Sequence, residues 1–83
     1  MTEAEIEKGV REILAKRLNI NIDKISRESM LIDDLGMDSF GAIEVMFEME
    51  DRFGVEISDK DLVNLKTIED TVKYIESKLK SPK

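Results

Sequence analysis

Cysteine and histidine are both missing from this 83-residue chain, which also lacks tryptophan and contains a single proline. Without cysteine the protein has neither a disulfide framework nor a thiolate metal site. Without histidine it lacks the commonest general base and metal ligand of proteins, so an ordinary hydrolase is hard to build. No apolar run approaches the roughly 20 residues that span a bilayer, and the first residues, MTEAEIEKG, are acidic and polar rather than a signal sequence. We therefore expect a cytoplasmic protein without membrane insertion.

The charges that are present lie unevenly along the chain, whose formal net charge is −6. Residues 33–59 contain nine acids against Arg52 alone, whereas residues 1–32 contain six acids and six bases. Such an acidic surface is a poor partner for nucleic acid, which is itself a polyanion, and a good partner for a basic protein surface. The length predicts one small domain over residues 1–83, which we expect to be a monomer, and an apolar fraction of 41% suffices for a small core.

Capping signals and hydrophobic periodicity predict the first helix. It begins after Thr2, whose side chain forms a capping-box pattern with that of Glu5. Gly9 weakens this helix by up to about 1 kcal/mol relative to alanine, and the sequence offers no firm reason for it. Apolar residues recur through residues 19–37, although they show no helical period there. We therefore predict a long loop that is packed against the other elements.

Three more helices are predicted downstream. The second begins at Asp38 or Ser39 and ends at Phe53, with Gly54 in the left-handed conformation. A short third helix follows Ser58, and a fourth follows Thr67. The third helix is predicted to bury Leu62, Val63 and Leu65, and the fourth to carry one apolar stripe of Ile68, Val72, Ile75 and Leu79. Nothing alternates long enough for a strand, and residues 81–83 are predicted to form a frayed tail. The predicted fold is an all-α, four-helix bundle with three long helices and one short one.

The second helix carries more apolar surface than one buried face needs. On a wheel of roughly 100° per residue, an ordinary core face is formed by Ala42, Val45, Met46, Met49 and Phe53. An extra apolar stripe of Phe40, Ile43 and Phe47 lies beside it, and the acids around this stripe are Glu44, Glu50 and Asp51. Either the helix is more buried than its neighbours, or the extra stripe docks onto a partner while the acids orient a basic surface. The interleaved acids argue against full burial.

Ser39 lies at the start of this helix, where Asp or Ser ahead of an apolar run is an everyday helix start. As a hydrolytic nucleophile it would need a base and an oxyanion hole, and the chain offers no histidine and no Gly-x-Ser-x-Gly motif. No catalytic residue is therefore predicted. The acids around Asp33 and Asp34 do not match a calcium-binding loop, since Leu35 and Met37 occupy ligand positions, so no metal site is predicted either.

Residues 33–58, DDLGMDSFGAIEVMFEMEDRFGVEIS, resemble the signature of acyl carrier proteins, in which Asp-Ser-Leu at the start of helix II carries a 4′-phosphopantetheine arm. The long loop, the short third helix and the segment TIEDTVKYI are similar to this family in the same order. The resemblance implies covalent attachment at Ser39, within a motif of Asp38 and Phe40, by a separate magnesium-dependent phosphopantetheinyl transferase that takes the arm from coenzyme A. It implies a discrete carrier that is not itself an enzyme. Such a carrier delivers acyl thioesters to acyl-loading, synthase and acyltransferase enzymes of fatty-acid, lipid or polyketide biosynthesis.

The resemblance also implies that those enzymes present basic patches to the second helix, the same face on which we predict docking. By analogy with fatty-acid carriers, residues that could line a space for the acyl chain are Met46, Met49, Leu62, Ile68 and Ile75, for which core packing is the alternative. Phe40 stands where leucine is usual, Met37 where alanine is common, and Gly41 where a polar residue is usual. Because DSFG is similar to D-alanyl carrier proteins, a D-alanyl or aminoacyl carrier is an alternative. A helical interaction module without a prosthetic group is another.

Overall fold

The structure of the protein, a computed structural model, describes residues 2–80 apart from the side chain of Asp59, and the predicted tail 81–83 lies outside the described residues. Four α-helices follow one another along this part of the chain: α1 (Glu3–Leu18), α2 (Ser39–Phe53), α3 (Asp59–Leu62) and α4 (Ile68–Lys80). The predicted all-α fold with three long helices and one short helix is confirmed. Within residues 2–80 no helix combines the length and the apolar character that a membrane crossing requires.

The helix ends lie where local signals predict them. Thr2 and Glu5 form the predicted capping box, in which the Glu5 N–H donates to the Thr2 hydroxyl at 3.2 Å. The Thr2 N–H in turn donates to the Glu5 carboxylate at 2.8 Å. At the C-terminal end of α2, Gly54 has a φ of 68°, and its N–H donates to the Glu50 carbonyl at 2.8 Å. Because an L side chain rarely adopts this φ, glycine stops the helix at Phe53 as predicted.

The stretch between α1 and α2 is packed, as predicted. Ile25, Leu31 and Met37 are buried in the core. Arg27 ties the stretch to the start of α1 through ion pairs with Glu3 at 2.7 Å and Glu7 at 3.1 Å. A single 3-10 turn at Ile22–Lys24 was not predicted, because such turns have no strong hydrophobic period.

The same stretch is hydrogen-bonded to the segment just before α4. The Leu31 N–H donates to the Lys66 carbonyl at 2.9 Å, and the Ile68 N–H donates to the Ser29 carbonyl at 3.1 Å. Met30 and Thr67 form an isolated antiparallel bridge, and no longer strand is present among the described residues. These bonds hold the loop beside the chain that follows α3.

The core contains the apolar faces of α1, α2 and α4 together with the loop anchors. Its most buried residues are Ile6, Val10, Leu14, Ile25, Val45, Met49, Ile68, Val72 and Ile75. One predicted core residue is wrong. Val63 is 70% exposed, because α3 ends at Leu62 and the core is reached by Leu65 instead. Leu79 is exposed in the last turn of α4, where the apolar stripe has left the core.

Gly9 lies where α1 meets α2. A Cβ atom built on Gly9 would be 2.7 Å from Cζ and 3.2 Å from Cε1 of Phe53. Real Cβ contacts are longer than the first of these distances, so the buried Phe53 ring packs directly over the backbone of Gly9. The helix-weakening glycine therefore serves the contact between the two helices.

Candidate functional site

Asp38, not Ser39, caps the start of α2. The backbone of Asp38 is extended, with φ −90° and ψ 175°, and its carboxylate accepts the Gly41 N–H at 2.7 Å. Ser39 is the first residue of the helix and is exposed. Within residues 2–80 no side-chain hydrogen bond engages the Ser39 hydroxyl, and the residue is exposed to solvent. The N–H groups of Ser39 and Phe40 precede the first intrahelical hydrogen bond and are free to meet an anion.

A groove of about 490 Å³ opens beside Ser39. One wall is the loop at Met30, Leu31, Ile32 and Asp33; the second is the α2 face of Ala42, Ile43 and Met46; the third is Leu62, Val63, Leu65 and Lys66, from α3 and the residues after it. The walls are mainly apolar, and the volume lies in the range that small-molecule sites occupy. Ser39 therefore lies at the edge of a space that suits an apolar chain.

Only part of the predicted acyl lining faces this groove. Met46 and Leu62 belong to its walls. Met49, Ile68 and Ile75 are fully buried and belong to the core rather than to the groove. An acyl chain confined to the groove would contact Met46 and Leu62. A chain that entered the core would contact Met49, Ile68 and Ile75.

The extra apolar stripe of α2 points to solvent. Phe40 is 68% exposed and Phe47 62% exposed, and Ile43 is exposed as well while also lining the groove. Burying such large side chains against a partner would remove considerable apolar area from water. The alternative that α2 is merely more buried than its neighbours does not hold for these three residues.

The acids of the predicted docking face differ in their surroundings. Glu44 is ion-paired with Arg17, and Asp51 is exposed. The Glu50 carboxylate accepts the Ile57 N–H at 2.6 Å, which fixes the turn after α2. Asp34, in the loop before α2, accepts the Met30 N–H at 2.8 Å. Some of the acidity around Ser39 therefore has a structural role.

Several groove residues were not predicted from the sequence. Ile32 and Val63 are exposed on opposite walls, and Asp33 and Lys66 add one charge of each sign. They come together because the loop is hydrogen-bonded to the chain after α3. The bonded residues, Leu31 with Lys66 and Ser29 with Ile68, are 35 and 39 positions apart, so the pairing carries no local signal. The apolar anchors of the loop indicated that it is packed, but not against which segment.

Comparison with known proteins places this geometry in a family. Residues 8–75 match the model of a family described as the phosphopantetheine attachment site. The chain is also similar to the solved structure of the acyl carrier protein from Enterococcus faecalis. The two share 36% sequence identity and a TM-score of 0.81, over 94% of this chain and 99% of that one. The chain therefore belongs to the acyl carrier protein family, whose members act as carriers rather than enzymes and bear a covalent 4′-phosphopantetheine group.

Proposed function

We propose that Ser39 is the residue to which phosphopantetheine is attached, and that the protein carries acyl thioesters for fatty-acid, lipid or polyketide biosynthesis. The observation that carries this proposal is the free, exposed hydroxyl of Ser39 at the edge of the apolar groove. Asp38 leaves that hydroxyl unused by taking over the cap of α2. We further propose that residues 1–83 form one carrier domain, monomeric and cytoplasmic.

The residues around Ser39 fit the group. The positive end of the α2 dipole and the free N–H groups of Ser39 and Phe40 favour a phosphodiester at this position. The group supplies a thiol for thioester chemistry, which a chain without cysteine lacks. In the transfer, the Ser39 oxygen would bond to phosphorus and give up its proton, while the phosphoanhydride of coenzyme A would break and release adenosine 3′,5′-bisphosphate. The chain has no histidine to accept that proton, and we propose that the transferase supplies both the base and the magnesium.

The proposed docking surface on α2 consists of Phe40, Ile43 and Phe47 with the acids Glu44, Glu50 and Asp51. Its support is the exposure of the apolar side chains and the excess of nine acids over one base in residues 33–59. Basic patches on the phosphopantetheinyl transferase, the synthases and the acyltransferases are the complementary surfaces. Because Glu50 is bound to the Ile57 N–H, it contributes charge rather than a free side chain.

We propose that the acyl chain first binds in the groove beside Ser39, whose walls include Met46 and Leu62. Methionine adapts to guests of irregular shape. Met49, Ile68 and Ile75 are proposed as contacts only for a longer chain that opens the core, since all three are closed off from solvent.

Intact mass spectrometry tests the proposal. The apo protein is incubated with coenzyme A, Mg²⁺ and a broad-specificity phosphopantetheinyl transferase, and we expect a gain of one phosphopantetheine. Ser39→Ala should show no gain, whereas Ser77→Ala, at an exposed serine of α4, should be modified like the wild type. Phe47→Ala should raise the apparent KM for the carrier without altering its fold. A wild type that stays unmodified, or a Ser39→Ala variant that gains the mass, refutes the assignment. An unchanged KM removes Phe47 from the docking surface.

A further inference from the structure

Two acids on α2 form ion pairs with one cation of the same chain. Arg17, in the last turn of α1, is ion-paired with Glu44, and its second guanidinium nitrogen lies 2.9 Å from a carboxylate oxygen of Glu48. The planar guanidinium group has separate N–H groups for each carboxylate. One cation therefore engages two acids that are 27 and 31 residues away in sequence.

These ion pairs are open to solvent. The side chains of Arg17, Glu44 and Glu48 are 33%, 40% and 47% exposed. Ion pairs at such positions contribute little to stability, because water screens them and two flexible side chains must be held in place. A cation from outside can therefore replace Arg17 without unfolding any part of the helix.

Glu44 lies beside the exposed apolar stripe, four residues after Phe40 and three before Phe47. Glu48 lies one helical turn beyond Glu44. A partner that buries the stripe brings its own cations next to these carboxylates. Those cations then compete with Arg17 for the same oxygens.

We propose that Arg17 is an internal counter-ion that basic partners must displace, and that it sets the affinity and the salt dependence of docking at Glu44 and Glu48. This inference rests on the proposed docking surface. Arg17 thereby weakens the binding of partners with low positive charge, whereas strongly basic partners still bind. A single residue on α1 thus tunes specificity on α2.

Arg52 provides a matched control within the same chain. It also joins the two helices, by an ion pair to Glu12 at 2.8 Å, and its exposure of 48% is comparable. It lies opposite Ile43 on the α2 wheel, nine residues along at roughly 100° per residue. Removing Arg52 changes the net charge as much as removing Arg17, but it frees an acid on α1 rather than on the docking surface.

The test compares wild type, Arg17→Gln, Arg17→Lys and Arg52→Gln in two assays. In the first, a lysine hexapeptide is titrated into each apo protein, and binding is followed by NMR at low and high salt. We expect Arg17→Gln to bind about threefold to tenfold more tightly than wild type at low salt, with Arg17→Lys between them. Arg52→Gln should stay within about twofold of wild type, and at high salt the differences should vanish.

The second assay measures apparent KM and kcat for a phosphopantetheinyl transferase. Arg17→Gln should lower KM by a similar factor at unchanged kcat. Equal behaviour of Arg17→Gln and Arg52→Gln in the peptide titration overturns the inference, since net charge alone would then explain the effect. That titration needs no attachment of the arm, so it tests the role of Arg17 even if the wild type is never modified, a result that would instead refute the role of Ser39.

Discussion

Replacing Gly9 with alanine sets two effects against each other. Alanine in the interior of α1 should gain up to about 1 kcal/mol over glycine. Its methyl group, however, would lie 2.7 Å from Cζ of Phe53. Phe53 is buried, so its ring cannot swing into solvent, and overpacking of this kind costs about 1 to 3 kcal/mol. We expect the cost of overpacking to exceed the gain in helix propensity, with a net loss of ~1 kcal/mol in the free energy of unfolding.

Urea unfolding followed by far-UV circular dichroism measures this loss, and thermal unfolding should show a midpoint about 4 to 8 °C lower. Lys8→Ala, on an exposed neighbour in the same helix, should change stability by no more than about 0.5 kcal/mol. In a Phe53→Leu background the obstacle is gone, so adding Gly9→Ala should cost less or stabilise. A Gly9→Ala protein that is more stable than wild type, with no coupling to position 53, would refute the proposed close packing.

Two further changes test the site and the α3 wall of its groove. Asp38→Ala removes the acceptor of the Gly41 N–H and should lower stability by about 1 kcal/mol in urea unfolding, with slower attachment at Ser39; unchanged values of both would contradict the capping role. The Tyr74 hydroxyl donates to the Asp61 carboxylate at 2.6 Å, and this bond lowers the pKa of Asp61. The resulting stability is present above the ordinary aspartate pKa, about 4, and is lost as pH falls through the lowered value. Burial first, and then the bond to Asp61, raise the pKa of Tyr74, so its contribution is present below about pH 10 and lost as pH rises through the raised value. Tyr74→Phe should therefore be most destabilising near neutral pH, and a stability difference that is flat with pH would count against the bond.

The ends of the helices could be predicted because their causes are local. Thr2 meets Glu5 three residues away, and Gly54 stops α2 through its own φ. The position of Ser39 at the start of α2 could be predicted for the same reason, since Asp38 and Ser39 are adjacent to the helix they begin. Features whose causes are local in sequence can be predicted without a structure.

The contacts that could not be predicted join residues far apart in the chain. The reason for Gly9 is a ring 44 positions later, and the partner of Glu44 is an arginine on another helix. Val63 was wrongly assigned to the core because a four-residue helix sets no reliable apolar face. In each case the local sequence allowed more than one arrangement, and tertiary packing determined which one the protein adopts.

The order of Asp38 and Ser39 determines which of the two side chains caps α2. Had serine been the cap, its hydroxyl would accept an N–H of the first turn, as Thr2 does in α1 and Ser58 does in α3. In α2 the carboxylate of Asp38 accepts this N–H instead. Ser39 is thereby moved one position into the helix, where its hydroxyl is exposed while the backbone that holds it is fixed. If Ser39 is the attachment residue, as proposed, a hydroxyl that is held rigidly but left unbonded suits a modifying enzyme, because no cap has to be broken before the bond to phosphorus forms.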